Sequence, residues 1–153
     1  MSIKTVKKYL EDKAPDLEII EHNISTASVD EAAIAHSVKP GQIVKTIALM
    51  LDQPILLMVA GDTKIDNKKY KNIFKKKAKM LSWEQTEEFT SHPIGGVCPF
   101  GLPAKLNIYA DISLDNYDYV IPAAGSVNSS IIIEKNRLLE MVSATKVDVT
   151  VPK

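Results

Sequence analysis

Seven consecutive residues, Gly95-Gly96-Val97-Cys98-Pro99-Phe100-Gly101, hold three of the chain's six glycines. Glycine lets main-chain N–H groups come close to a ligand, and Pro99 stiffens the loop that presents them. Successive N–H groups of this kind can hold an oxyanion or a phosphate. The same pattern also makes a plain tight turn, and no phosphate-loop signature accompanies it. A second small-residue turn, Ala123-Ala124-Gly125-Ser126, follows an expected strand and can face the same cavity. Lys45 stands inside the apolar run Ile43-Val-Lys-Thr-Ile47. An ammonium there must point into a cavity, pair with an acid or snorkel to water. Position alone leaves anion binding and edge-strand exposure both open. Thr46 turns to the opposite face and reads as structural.

Nucleophiles are scarce. Cys98 lies in the glycine loop, where N–H dipoles would lower a thiol's pKa, but no histidine stands beside it in the sequence. His22, His36 and His92 lack zinc-ligand spacing with Cys98, so neither a metal site nor a cofactor is expected, and His22 and His92 read as surface or loop groups. Asp111, at the end of an expected strand, can orient a ligand hydroxyl or ammonium, or cap the following turn. There is no Walker loop and no dinucleotide fingerprint.

Charge is unevenly spread. Between residues 62 and 79, eight lysines oppose only Asp62 and Asp66, while the whole chain carries 19 basic and 19 acidic residues. A cluster including Lys64, Lys68, Lys69 and Lys71, interleaved with Tyr70 and Phe74, suits a phosphate backbone; a solvated helix face is the alternative.

The elements that must position these groups are legible from periodicity. Ile3, Val6, Lys7 and Leu10 mark a first helix that Pro15 stops, and Glu18–Glu21 is a possible short strand. Ser28 with Glu31, and Ser82 with Gln85, form capping boxes for helices through about His36 and Thr90. Asp66 caps a helix through about Phe74. Pro40-Gly41 is a turn. Ile43–Leu51 and Ile55–Ala60, parted by Asp52-Gln-Pro54, read as a buried hairpin. Further strands are expected at Lys79–Leu81, Leu106–Asp111, Tyr119–Ile121, Ile131–Ile133 and Lys146–Val151, with a helix over Asn136–Val142. Residues 93–103, with three glycines and three prolines, must be loop.

At 153 residues, 45% apolar and 25% charged, the chain is expected to form one domain over its whole length, with folding hiding about 68–70% of the unfolded surface. That excludes a disordered, collagen-like or coiled-coil protein. One cysteine gives no internal disulfide, no apolar run nears the roughly 18 residues of a membrane span, and the basic N-terminus lacks the apolar stretch of a signal peptide. A cytoplasmic α+β domain around a curved or barrel-like, mostly antiparallel sheet is expected.

Four motifs then carry a resemblance: Gln42-Ile-Val-Lys-Thr46, Val59-Ala-Gly-Asp62, the loop Gly95–Gly101 and Ala124-Gly-Ser126, in this order and spacing. Together they resemble the YbaK family, the editing domains associated with prolyl-tRNA synthetase, from about His22 to about Val149, and the free-standing members in particular. The resemblance implies hydrolysis of the ester joining a wrong amino acid to a tRNA 3′ end, typically Ala or Cys on tRNA for proline. Mischarged tRNA, and prolyl-tRNA synthetase, are then the implied partners. It implies that Lys45 holds the terminal nucleotide or acyl group, and that amides of Gly95 and Gly96 through Pro99 contact the scissile carbonyl. Ser28, Gly125 and Ser126 would wall the amino-acid pocket. Cys98 stands where Ser or Thr is usual, and His36-Ser37-Val38 replaces Leu-Gly-Val. A non-catalytic module that binds tRNA or a synthetase, and a Cys98 thiol enzyme, are the competing readings.

Overall fold

The computed structural model describes residues 2–153, and its elements follow local chemistry. Helices are α1 (Ser2–Lys13), α2 (Val29–His36), α3 (Asn67–Phe74), α4 (Trp83–Thr90) and α5 (Lys135–Met141). Strands are β1 (Ile20–Glu21), β2 (Ile43–Met50), β3 (Pro54–Ala60), β4 (Thr63–Ile65), β5 (Asn107–Asp111), β6 (Tyr119–Pro122), β7 (Ser129–Ser130), β8 (Ile133–Glu134), β9 (Thr145–Val147) and β10 (Thr150–Pro152). Both expected capping boxes form, with Ser28 and Ser82 each accepting the N–H three residues on and receiving the returning side chain. Asp66 caps α3 through the Lys69 N–H. None of the described helices is long and apolar enough to cross a membrane.

The main sheet has the order β8-β6-β2-β3-β5-β9 and curls into a half-barrel. Antiparallel pairing is carried by the β2–β3 hairpin, by β6–β8 and by the small pairs β1–β7 and β4–β10. The joins β2–β6, β3–β5 and β5–β9 are parallel, so the sheet is mixed at its centre. Each parallel join spans a long excursion through helices or loops, which is what parallel neighbours require. Two expected strands are broken: Ile131–Ile133 is split around β7 and β8, and Lys146–Val151 is split by Asp148-Val149.

Both faces of the hairpin are buried, which is why its strands read as continuous apolar runs rather than alternating ones. Val44, Ala48, Leu56, Met58 and Ala60 face a core shared with Val6 and Leu10 of α1 and Leu138 of α5. Ile47, Leu49, Ile55, Leu57 and Val59 face a second cluster with Tyr70 of α3 and Val147. Full burial of each Leu or Met contributes about 2 kcal/mol.

Asp111 ties the C-terminal end to this frame. It is 1% exposed; one carboxylate oxygen accepts the Val149 N–H at 2.8 Å, the other the Thr150 hydroxyl at 2.7 Å and the Ser113 N–H at 2.9 Å. The expectation that Asp111 binds ligand is therefore corrected. Its oxygens are spent capping the 3₁₀ turn Ile112–Asn116 and fixing the bend between β9 and β10. Replacing it leaves buried donors unanswered. Asp111→Asn is expected to lower unfolding free energy by about 3 kcal/mol in urea titration; a loss below about 1 kcal/mol contradicts this role.

Candidate active site

The site begins at an interruption in the sheet. Gly61 N–H donates to Ile43 C=O on the β3 side, whereas Leu81 N–H donates to Ala48 C=O and Met50 N–H to Lys79 C=O on the other side. Main-chain groups alternate along a strand, so odd-numbered residues of β2 bond β3 and even-numbered ones face outward. On that outer edge β6 covers only Ile43–Val44, and the next bridge is Leu49–Met80. Thr46, between them, turns its N–H and C=O to an edge with no strand partner. Its hydroxyl is also buried without a hydrogen-bond partner.

A cavity of about 240 Å³ fills this gap. Its walls come from the start of α2, from residues 43–48 of β2, and from Leu81, Ile94, Ile121 and their neighbours. Among the described residues, Lys45 is the only one in the lining with a charged side chain. It shares the sheet face of Ile47 and Val59, pointing toward α3, and it is exposed rather than buried. Desolvation, and then the nearby Lys153, hold its pKa below the ordinary lysine range. The expected buried ammonium is thus an unpaired one at the cavity rim.

Ser28 lines the cavity as the N-cap of α2, its Oγ accepting the Glu31 N–H at 3.1 Å. Gly95 and Val97 also line it, and their N–H groups meet no acceptor among the described residues. Gly95 occupies the third position of a type II turn closed by Gly96 N–H to Pro93 C=O, and its φ of 94° demands glycine. The Gly96 amide is therefore spent and cannot serve the role expected of it. Gly96 packs instead on the second loop: a Cβ there would lie 2.8 Å from the Ser126 nitrogen, and its carbonyl accepts the Gly125 N–H.

The remaining loop residues turn inward. Pro99 is buried, Phe100 packs on Tyr9, and Gly101 lies against Thr5 of α1. Cys98 is fully buried, and burial pushes its thiol up to about 12. His92 lies in a loop, one of the two places expected for it, and is also fully buried, its Nε2 3.5 Å from Cys98 Sγ. That Nε2–H donates to Phe100 C=O at 2.7 Å, so the nitrogen facing the thiol already carries a hydrogen and cannot take the thiol's; with the thiol pushed up by burial, no thiolate is available. The pair is structural.

Gly125 and Ser126 stand behind the wall rather than in it. The Ser126 hydroxyl lies 2.6 Å from Ser129 Oγ, and Ser129 and Ser130 of β7 reach the cavity. Sequence reading took Thr46 as structural and passed over Thr26, Thr86, Ser129 and Ser130, of which only the serines had a signal, the polar Asn128-Ser-Ser130 stretch ahead of Ile131–Ile133. It also missed His36, whose Nε2 lies 2.6 Å from Ser130 Oγ and 3.2 Å from His22 Nε2. Burial, then His22, lower the His36 pKa. Of the lysine cluster, Lys64, Lys68 and Lys71 are exposed. Lys69 is engaged, 3.0 Å from both Asp148 and the Thr150 carbonyl.

The domain is a small α+β unit with an apolar cavity at a broken sheet edge, lined by Gly95 and Val97, and with the Lys45 ammonium at its rim. Residues 23–141 match the model of the aminoacyl-tRNA editing domain, and the chain belongs to that family, as the resemblance to YbaK proteins implied. It is 41% identical to the uncharacterized protein YwhH of Bacillus subtilis (strain 168), across 100% of this chain and 98% of that one. It is 28% identical over 104 residues to the proline–tRNA ligase of Citrifermentans bemidjiense, covering 67% of this chain but 18% of the ligase. A solved structure proposed as a trans-editing enzyme for prolyl tRNA synthetase superposes with a TM-score of 0.90 at 28% identity, over 98% of this chain and 97% of that one.

The partnerless hydroxyl yields a stability prediction. Thr46→Val removes a buried donor that has no acceptor, so unfolding free energy is expected to rise by about 1 kcal/mol in denaturant titration. A fall would show that the hydroxyl is satisfied inside the fold.

Proposed function

We propose that the chain hydrolyses the ester of a mischarged tRNA in trans, clearing a small uncharged amino acid, Ala or Cys, from tRNA for proline. The observation that carries this reading is the gap at Thr46, with free Gly95 and Val97 amides beside an apolar cavity, in a chain of the editing family. At about 240 Å³ the cavity is smaller than the ~300–1,000 Å³ of ordinary ligand sites. It suits an acyl group while the nucleotide stays outside. No carboxylate lines it, so a cationic side chain would find no partner.

An aminoacyl ester is already reactive, which accounts for a site without a protein nucleophile. A bound water, oriented by the site or by a neighbouring ribose hydroxyl of the substrate, attacks the carbonyl carbon; the ester C–O bond then breaks, the amino acid leaves as its carboxylate, and the ribose oxygen takes up the water's proton. Gly95 and Val97 amides stabilise the developing oxyanion without moving a proton. Lys45 balances the negative charge of the 3′ nucleotide at the rim. Lys64, Lys68 and Lys71, on the side of the sheet that Lys45 faces, meet the acceptor-stem backbone, so binding weakens steeply with salt. The reaction belongs to translation in the cytoplasm, with prolyl-tRNA synthetase as the enzyme whose errors it removes.

The test is a deacylation panel of Ala, Cys, Ser, Thr and Pro, each loaded on tRNA for proline. Ala- or Cys-tRNA is expected to be hydrolysed and Pro-tRNA spared. Lys45→Ala is expected to lower kcat/KM by about 100-fold with the thermal transition unchanged. Binding without hydrolysis of any of the five would leave only a tRNA-binding module; full turnover by Lys45→Ala would remove Lys45 from the mechanism.

A further inference from the structure

A cavity that holds only an acyl group leaves the nucleoside outside, where it needs a surface of its own. Met80 and Ile94 line the cavity yet are 66% and 45% exposed, so their apolar side chains carry its wall out into solvent. Thr86 of α4 lines it as well and is buried. Trp83 stands three residues before Thr86 on the same helix, a spacing that makes two side chains neighbours. It is 63% exposed, and the start of α4 makes no use of it, because Ser82 and Gln85 form the capping box. Its Nε1–H donates to Glu87 Oε1 at 3.3 Å, one turn on. With that nitrogen engaged, the indole offers a ligand its aromatic face rather than a hydrogen bond.

Charge decides what can lie on that face. α4 carries Glu84, Glu87 and Glu88 and neither lysine nor arginine. Lys79, just ahead of Met80, is the nearest basic residue in the sequence, and three carboxylates outnumber it. A phosphate is repelled there and finds its cations on β2 and α3 instead, at Lys45, Lys68 and Lys71. What α4 can take is flat and neutral. A nucleobase is both, and any base can stack on an aromatic side chain because every base has a π-face. We infer that Trp83, flanked at the mouth by Met80 and Ile94, is a binding residue on which the terminal base of the acylated nucleotide stacks. The base then holds the ester at the cavity while the acyl group enters it. This rests on the acyl-ester reading of the site and adds to it the surface that takes the nucleoside.

Trp83 is the chain's single tryptophan, so its emission reports on this surface alone. The test titrates two non-hydrolysable ligands into the full chain: amide-linked 3′-alanyl-adenosine, and the same alanyl ribose without its base. The adenosine ligand is expected to quench the emission saturably, and the abasic one to leave it unchanged. By titration calorimetry the adenosine ligand is expected to bind about 10-fold more tightly than the abasic one, as one stacked base would give. Trp83→Leu is expected to remove that preference while holding abasic binding within about twofold of wild type, and Trp83→Phe to restore most of it. A merely structural role would weaken both ligands alike. Emission unmoved at saturation, equal binding of the two ligands by wild-type protein, or an undiminished preference in Trp83→Leu would each overturn the inference. So would emission that shifts with protein concentration alone, with dimers in sedimentation, which would give the surface to a second copy of the chain. Hydrolysis of Ala- or Cys-tRNA by Trp83→Leu at the wild-type kcat/KM would overturn it while leaving the deacylase reading intact. Base-dependent quenching without hydrolysis of any aminoacyl-tRNA would support it and sink the deacylase reading alone.

Discussion

The outer edge of β2 has two different neighbours and none between them. A strand edge that stops being paired in mid-sheet presents an amide and a carbonyl that must be satisfied by water or ligand. Here the vacancy is one residue wide: β6 peels away after Val44 and the Lys79–Leu81 segment arrives at Ala48, leaving Thr46 to face the cavity. A gap this narrow, walled by Ile43, Ile47, Leu81 and Ile121, is too small for a whole nucleotide.

The rest of the fold keeps that gap open. The β2–β3 hairpin is buried on both faces, so β2 cannot shift toward the cavity without exposing one cluster or the other. The two small-residue loops are locked to each other through Gly96 and Gly125, which places the free Gly95 and Val97 amides on one wall. Asp111 anchors the C-terminal strands, and with them Lys153 beside Lys45. Two lysines near one another, with desolvation, favour an anion at the rim over an additional cation.

Much of the frame was legible in the sequence because it rests on local rules. Capping boxes at Ser28 and Ser82, the Asp66 cap and the long apolar hairpin each need only a few neighbouring residues to specify them. Lys45 stood out because a charge in an apolar strand needs an explanation, though its exposure depends on how far β6 extends. What stayed hidden was set by contacts distant in the chain. Asp111 is spent on Val149 and Thr150, 38 and 39 residues on. Ser130 finds His36 across 94 residues. Cys98 and His92, six residues apart, meet only because the loop folds under α1, and no periodicity reports that.

The open edge is tested most directly by amide spectroscopy. Amide-linked 3′-alanyl-adenosine would be titrated into isotope-labelled protein while backbone shifts and hydrogen exchange are followed residue by residue. The account predicts that the Thr46, Gly95 and Val97 amides shift together and that the Thr46 N–H exchanges more slowly in the complex. Saturating ligand that leaves those three amides unmoved, with shifts confined to another surface, would contradict it.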